Sequence, residues 1–309
     1  MIIESKKTIL FLIQSCNRED FLNEEFVVKE TWAKDIVNGN IKNTHLLFYR
    51  SSKNGKTYIE NDVLYVDEKD SYNSTYAKTI AALNYVNTNV EYDLIVKTNT
   101  STYINLEILV NLVNSTEYND DDIYGTRLII NGASKGYLYF RGNCMIFNKN
   151  TSKDIVSSYA IKALGPDDAL IGFNLTKFWY KKGIDYFSKL KQFSIAYWDR
   201  NFSYDLEKCK KLVCYRTKIN PSPNRNGKDI VKKMKKLDEL IKKDEGKFEI
   251  PTEFNKDGVE TLLGLMPFEK AVIRAKNKLL SFFNQKNNMI SSTGEKLYNS
   301  KNALRYMLD

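Results

Sequence analysis

An α/β fold built on a mostly parallel sheet is the class this sequence predicts, and three observations predict it. Short apolar runs alternate with longer amphipathic stretches over residues 7–114, the pattern of repeated βαβ units. The first run, Lys7–Ser15 (KTILFLIQS), is continuously apolar between polar flanks, as expected of a strand covered on both faces. Near residue 120 the alternation stops and strand-like segments follow one another without long helices between them. An antiparallel addition to the sheet is expected there.

Taken in order, Lys7–Ser15 predicts the first strand and Asp20–Val37 a helix. Thr44–Tyr49 (THLLFY) and Asp62–Val66 (DVLYV) predict the second and third strands. Ser74–Thr88 predicts a helix whose Thr79, Ala82, Leu83 and Val86 fall on one face. Tyr92–Lys97 (YDLIVK) predicts a fourth strand and Leu106–Asn114 a helix. Asp122–Ile130 and Tyr137–Phe147 read as strands, a helix begins at Ser152–Ser158, and another covers Asp167–Lys181. After Tyr215 the composition turns to Lys, Asn and Pro, and Gly227–Lys243 and Pro267–Lys286 predict two basic helices. The expected organisation is one α/β domain over residues 1–218 and a basic, mainly helical region over 219–309.

Composition narrows the chemistry. The chain has 309 residues, 42% of them hydrophobic, with one histidine, His45. A His-rich zinc site and a His-based catalytic triad are thereby disfavoured. Cys16, Cys144, Cys209 and Cys214 form no CxxC pair, so a reducing, cytoplasmic setting with unpaired thiols fits better than a disulfide framework. The net charge of +9 suits nucleic acid, an anionic membrane surface or phosphorylated ligands. No run of eighteen apolar residues is present, so no transmembrane helix is expected. Neither is a cleavable leader, because a strand begins almost at once.

Four segments, in order, resemble the β-1,3-galactosyltransferase and Fringe superfamily (glycosyltransferase family 31 and bacterial relatives). They are Val27–Trp32 (VVKETW), Asp70–Thr79 (DSYNSTYAKT), Tyr92–Asn105 (YDLIVKTNTSTYIN) and Asp167–Gly172 (DDALIG). The second matches the family's D-S-Y-x-N-L-T-x-K-T at Asp70, Ser71, Tyr72, Lys78 and Thr79. The fourth resembles the family's Glu-Asp-Val-x-x-Gly. Such a resemblance implies a GT-A architecture, with a nucleotide sugar bound at the carboxyl ends of the strands in its first half and an acceptor against its second half.

The family's metal-binding Asp-x-Asp slot here reads Asn99-Thr100-Ser101, and no carboxylate stands anywhere in Lys97–Asn105. A hard divalent ion needs carboxylate oxygens, so Mn²⁺ or Mg²⁺ is not expected to bind at this slot. Two readings stay open: a metal-independent transferase whose basic side chains hold the diphosphate, or a catalytically inactive module of the same fold that binds a sugar or a partner. For the first, Arg216, Lys218 and Arg225 stand just after the core and can meet phosphate oxygens.

On the resemblance, Asp168 is the expected general base on the acceptor hydroxyl, with Asp167 as second choice. Adjacent carboxylates push one pKa upward, which suits a base near neutrality. Both also suit the first turn of a helix for its dipole alone. Ser15, Asn17, Arg18, Asp70, Tyr72, Lys78, Asn99 and Ser101 are the expected nucleotide-sugar contacts. Asp70 or Ser71 serves equally as a helix cap, Trp32 as a core residue, and Gly142 as a point where a sugar approaches the backbone.

The function implied is transfer of a hexose from a UDP-sugar to a hydroxyl of a glycan acceptor with inversion, in surface polysaccharide or glycoconjugate synthesis. A lipid-linked acceptor would place the chain at the inner face of a membrane, where the basic amphipathic helices could dock on anionic lipid; packing of those helices on the domain is the alternative. Nucleic acid is not an expected partner, because the lysines concentrate in the tail.

Overall fold

The computed structural model describes residues 4–116, 118–126, 128–131, 137–159, 166–193, 195–197, 212–218 and 226–242. The expected helix Pro267–Lys286, Cys209 and Arg225 lie outside them. The strands are β1 (Glu4–Gln14), β2 (Lys42–Ser51), β3 (Tyr58–Glu60), β4 (Val63–Val66), β5 (Leu94–Asn99), β6 (Thr102–Ile104), β7 (Ile123–Thr126), β8 (Leu128–Asn131), β9 (Tyr137–Phe140), β10 (Cys144–Asn148), β11 (Leu190–Phe193), β12 (Ile195–Tyr197) and β13 (Cys214–Arg216). The helices are α1 (Glu19–Glu30), α2 (Lys34–Val37), α3 (Thr75–Asn89), α4 (Leu106–Asn114), α5 (Lys149–Ser157), α6 (Asp167–Lys181) and α7 (Gly227–Lys242).

One eight-stranded sheet carries the fold in the order β11-β7-β10-β5-β1-β2-β4-β3. Strands β5, β1, β2 and β4 run parallel, as the alternating pattern requires. The expected antiparallel addition is β10, which runs against both β5 and β7.

Strand β1 shows why its sequence is apolar throughout. Ile9, Phe11 and Ile13 point to one face, into a cluster with Val28, Trp32, Leu109 and Met234. Leu10 and Leu12 point to the other, into a cluster with Ile80, Leu83, Leu170 and Trp179. Helices α1, α4 and α7 thus cover one face and α3, α5 and α6 the other. Each buried aliphatic side chain contributes about 1.5–3 kcal/mol.

Several elements differ from expectation, for stated reasons. The expected helix Asp20–Val37 breaks into α1 and α2, because Trp32 turns inward onto Phe11, with ring centroids 5.7 Å apart. The Thr31 hydroxyl donates back to the Val27 carbonyl at 2.6 Å and closes that turn. Asp122–Ile130 divides into β7 and β8, and Tyr137–Phe147 into β9 and β10, which belong to different sheets. Strand β3, missed in the sequence, pairs with β4 through a tight turn in which Asn61 takes φ 55°.

The described part of the tail belongs to the core. Ile230, Met234, Leu237 and Ile241 of α7 are buried, and the last three join the cluster under β1. Tyr103 donates to the Asp238 carboxylate at 3.0 Å. The apolar face that suggested membrane docking is covered by protein in this helix. The packing alternative holds for α7.

Candidate active site

The carboxyl ends of β1, β2, β4 and β5 lie side by side, and the chain after each carries polar residues. Strand β5 ends in Asn99. Its side-chain NH₂ donates to the Gly142 carbonyl at 2.8 Å. Its side-chain oxygen accepts from the Ser101 amide at 3.2 Å and from the Ser101 and Thr102 hydroxyls, both at 3.1 Å. The Arg216 guanidinium donates to the same oxygen and to Thr102 Oγ1 at 3.4 Å.

Arg216 arrives there by long-range pairing. Strand β13 runs antiparallel to β6, with Arg216 opposite Thr102. Thr217 fastens the junction: its amide and hydroxyl both donate to the Ser101 carbonyl, at 3.0 and 2.8 Å. Lys218 follows, partly exposed. Below the slot, Thr100 Oγ1 donates to the fully buried Glu24 carboxylate at 2.6 Å.

These donors decide how the slot treats a cation. Where a divalent ion would need carboxylate oxygens, the structure offers a neutral amide oxygen already accepting from a guanidinium. Among the described residues no group of three His, Cys, Asp or Glu side chains could hold a metal. The residues present do not fit a divalent cation at Asn99–Ser101.

Opposite the slot stands the carboxylate pair at the start of α6. Asp168 accepts from the Gly142 amide and from its neighbour Ala169's amide, both at 2.8 Å. A methyl group on Gly142 would rest in ordinary van der Waals contact with the Asp168 side chain, 3.4 Å away. Burial, and then the charge of Asp167, push the Asp168 carboxyl above its ordinary range; the two amides and Lys97 partly offset this.

Asp167 is engaged differently. It is buried and forms an ion pair with the fully buried Lys97 of β5. It also accepts from Thr79 Oγ1 at 3.0 Å. Burial works most strongly on the Lys97 ammonium and against it, but Asp167, Tyr49 and Asp168 together outweigh it, and the lysine holds its proton more tightly than a free one.

The other expected contacts divide into a network and two exposed positions. Asp70 accepts from the Asn17 amide and from Lys78 Nζ, both at 2.7 Å. Lys78 also donates to the Ser15 carbonyl at 2.6 Å, which ties α3 to the end of β1 rather than to β5. Burial alone would raise the Asp70 carboxyl, yet Lys78 and the Asn17 amide hold it below its ordinary range. The Asn17 side chain donates to the Ser51 carbonyl at 2.8 Å. The Ser15 hydroxyl is turned inward onto the buried Glu25. Tyr72, 73% exposed, projects beside the carboxylate pair, whose charges help raise its phenol pKa after burial. Arg18 is exposed and pairs with Asp20 at 3.0 Å.

Sequence reasoning missed Glu24, the Asp167 pairing of Lys97 and the Thr217 clamp. A lysine closing an apolar strand run and a glutamate inside a helix were the signals available.

Residues 18–165 match the Galactosyltransferase family model. A solved glycosyltransferase, described as involved in the glycosylation of the major capsid of PBCV-1, is similar over 74% of this chain and 98% of its own, at 9% identity and a TM-score of 0.42. That likeness is too slight to carry weight. No curated protein matches. The matched segment contains Asp70 and Lys78, the Asn99 slot and Gly142, while the polar end of β1, the carboxylates of α6 and Arg216 lie outside it; set on a sheet of the expected GT-A-like α/β class, this likeness to the Galactosyltransferase family makes the chain a glycosyltransferase.

Proposed function

We propose that the chain moves a hexose from a UDP-sugar to a hydroxyl of a glycan acceptor, with inversion and without a divalent metal. The observation that carries this reading is the bridge at Gly142. Its amide donates to Asp168 and its carbonyl accepts from Asn99, whose oxygen the Arg216 guanidinium grips. One residue thus spaces a carboxylate of raised proton affinity from a cation.

In the proposed step, Asp168 takes the proton of the acceptor hydroxyl, and the oxygen attacks the anomeric carbon of the donor. The bond from that carbon to the diphosphate oxygen breaks, and its electron pair leaves with UDP. A general base of this kind contributes about 10²–10⁴-fold. Arg216, with Lys218 and Arg225 as further phosphate contacts, stabilises the charge that grows on the leaving diphosphate. Asn99 at the slot adds no negative charge to oppose that, as an aspartate would.

Asn17, Asp70 and the end of β1 would face the uridine, with Lys78 and Ser15 shaping that corner from behind. Tyr72 lies where a sugar ring could rest beside Asp168. Surface polysaccharide or glycoconjugate synthesis is the proposed setting. Toward a lipid-linked acceptor on an anionic membrane, α7 would present Lys228, Lys232, Lys235, Lys236 and Lys242, its exposed lysines, rather than its covered apolar side.

Calorimetric titration with UDP and UDP-hexoses in Mn²⁺ and again in EDTA tests this. Binding of equal strength in both supports the reading. Binding only with Mn²⁺ would overturn the metal-free diphosphate site, and no binding in either would overturn the donor.

A further inference from the structure

Two adjacent carboxylates open α6, and the structure treats them unequally. Asp167 has a dedicated cation in Lys97, which is fully buried in mid-β5. Burying an ammonium costs several kcal/mol unless it is paired, so the pair is an obligate unit. It is anchored beyond itself: Thr79 of α3 donates to the same Asp167 oxygen, and Thr79 Oγ1 lies 2.9 Å from the Tyr49 hydroxyl of β2. Helix α6 begins at Pro166 without any side-chain cap. Its first turn is therefore held from outside, by Asp167 on β5 and α3 and by Asp168 on the turn at Gly142.

We propose that Lys97 and Asp167 form a buried positioning pair for Asp168, fixing the first turn of α6 and setting a paired carboxylate and ammonium beside it; this rests on the reading of Asp168 as the base. The division follows from electrostatics. Asp167 is engaged by its own counter-ion, while Asp168 meets the Gly142 and Ala169 amides, so Asp168 is the member left to take a proton from substrate. Asp167 raises the proton affinity of Asp168, and Lys97 limits the rise. The groups facing Asp168 are Asp167 and the Ala169 amide from its own helix, the Gly142 amide from the turn before β10, Lys97 from β5 and Tyr72 from the turn before α3. Tyr49 of β2 stands behind Asp167, and Arg141 is next to Gly142 in the chain.

The two members should shift Asp168 in opposite directions, which a purely structural pair would not do. The experiment follows the carboxyl carbons of 13C-labelled aspartate by NMR as pH is varied, with the Asp168 signal identified by its loss in Asp168→Asn. Asp167→Asn is expected to lower the Asp168 midpoint by about one pH unit or more. Lys97→Met is expected to raise it. An unmoved midpoint in Asp167→Asn, or shifts of the same sign in both, would overturn the pairing. Where Lys97→Met does not fold, the isosteric Asp167→Asn decides alone. The titration does not depend on turnover, so its failure is separate from failure of the base reading, which an active Asp168→Asn protein would overturn.

Discussion

Replacing Arg216 with Met removes a guanidinium while leaving its backbone in place. Strand β13 pairs with β6 through main-chain groups, and Thr217 still fastens the junction to the Ser101 carbonyl, so local structure should survive. What disappears is the cation on the Asn99 oxygen, the point at which a diphosphate would be met. A hydrogen bond to a charged group is worth about 1.5–3 kcal/mol, and tenfold in affinity is about 1.4 kcal/mol. UDP binding should therefore weaken about 10–150-fold, uridine binding should hold within about twofold, and Arg216→Lys should fall between. Calorimetry with UDP and uridine, after circular dichroism shows matched folding, reads all three. Unchanged UDP affinity in a folded Arg216→Met protein would refute the assignment of Arg216 to the diphosphate.

Other consequences follow from the same geometry. Met234 of α7 is fully buried beneath β1, so Met234→Ala should cost about 2–5 kcal/mol in urea denaturation; a loss well under 1 kcal/mol would mean that α7 is not part of the core. The folded Asp70 carboxyl titrates below its ordinary value, so its contribution to stability is present above about pH 4, the unfolded value, and is lost as pH falls through the folded one. The stability gap between wild type and Asp70→Asn should accordingly be widest near neutrality and narrow in acid. A gap independent of pH would place the effect of Asp70 elsewhere than in its charge.

Much of the first half was legible because its signals are local. A strand buried on both faces must be apolar at every position, and the run Thr8–Ile13 could be read that way without knowing its neighbours. The carboxylates of α6 and the polar ends of β1 and β5 were legible by resemblance to the family, which fixes the order of motifs along the chain. The arrangement of β13 was not legible. Three residues, Cys214–Arg216, become a strand only because β6 and β12 flank them, and pairing across more than a hundred residues leaves no periodicity to read. Trp32 broke the expected helix for a similar reason: its place against Phe11 outweighs the helical pattern around it. Lys97 looked like any lysine at a strand end until Asp167 met it from a helix seventy residues further on.

The central claim is that Asp168 is the group that deprotonates the acceptor. Its most direct test is Asp168→Asn, which keeps the shape and the Gly142 amide's acceptor oxygen. Transfer from the UDP-hexose that the wild-type protein uses, and UDP affinity by calorimetry, are measured side by side in EDTA. The account predicts a fall in transfer of about 10²–10⁴-fold with UDP affinity unchanged; transfer close to wild type would contradict it.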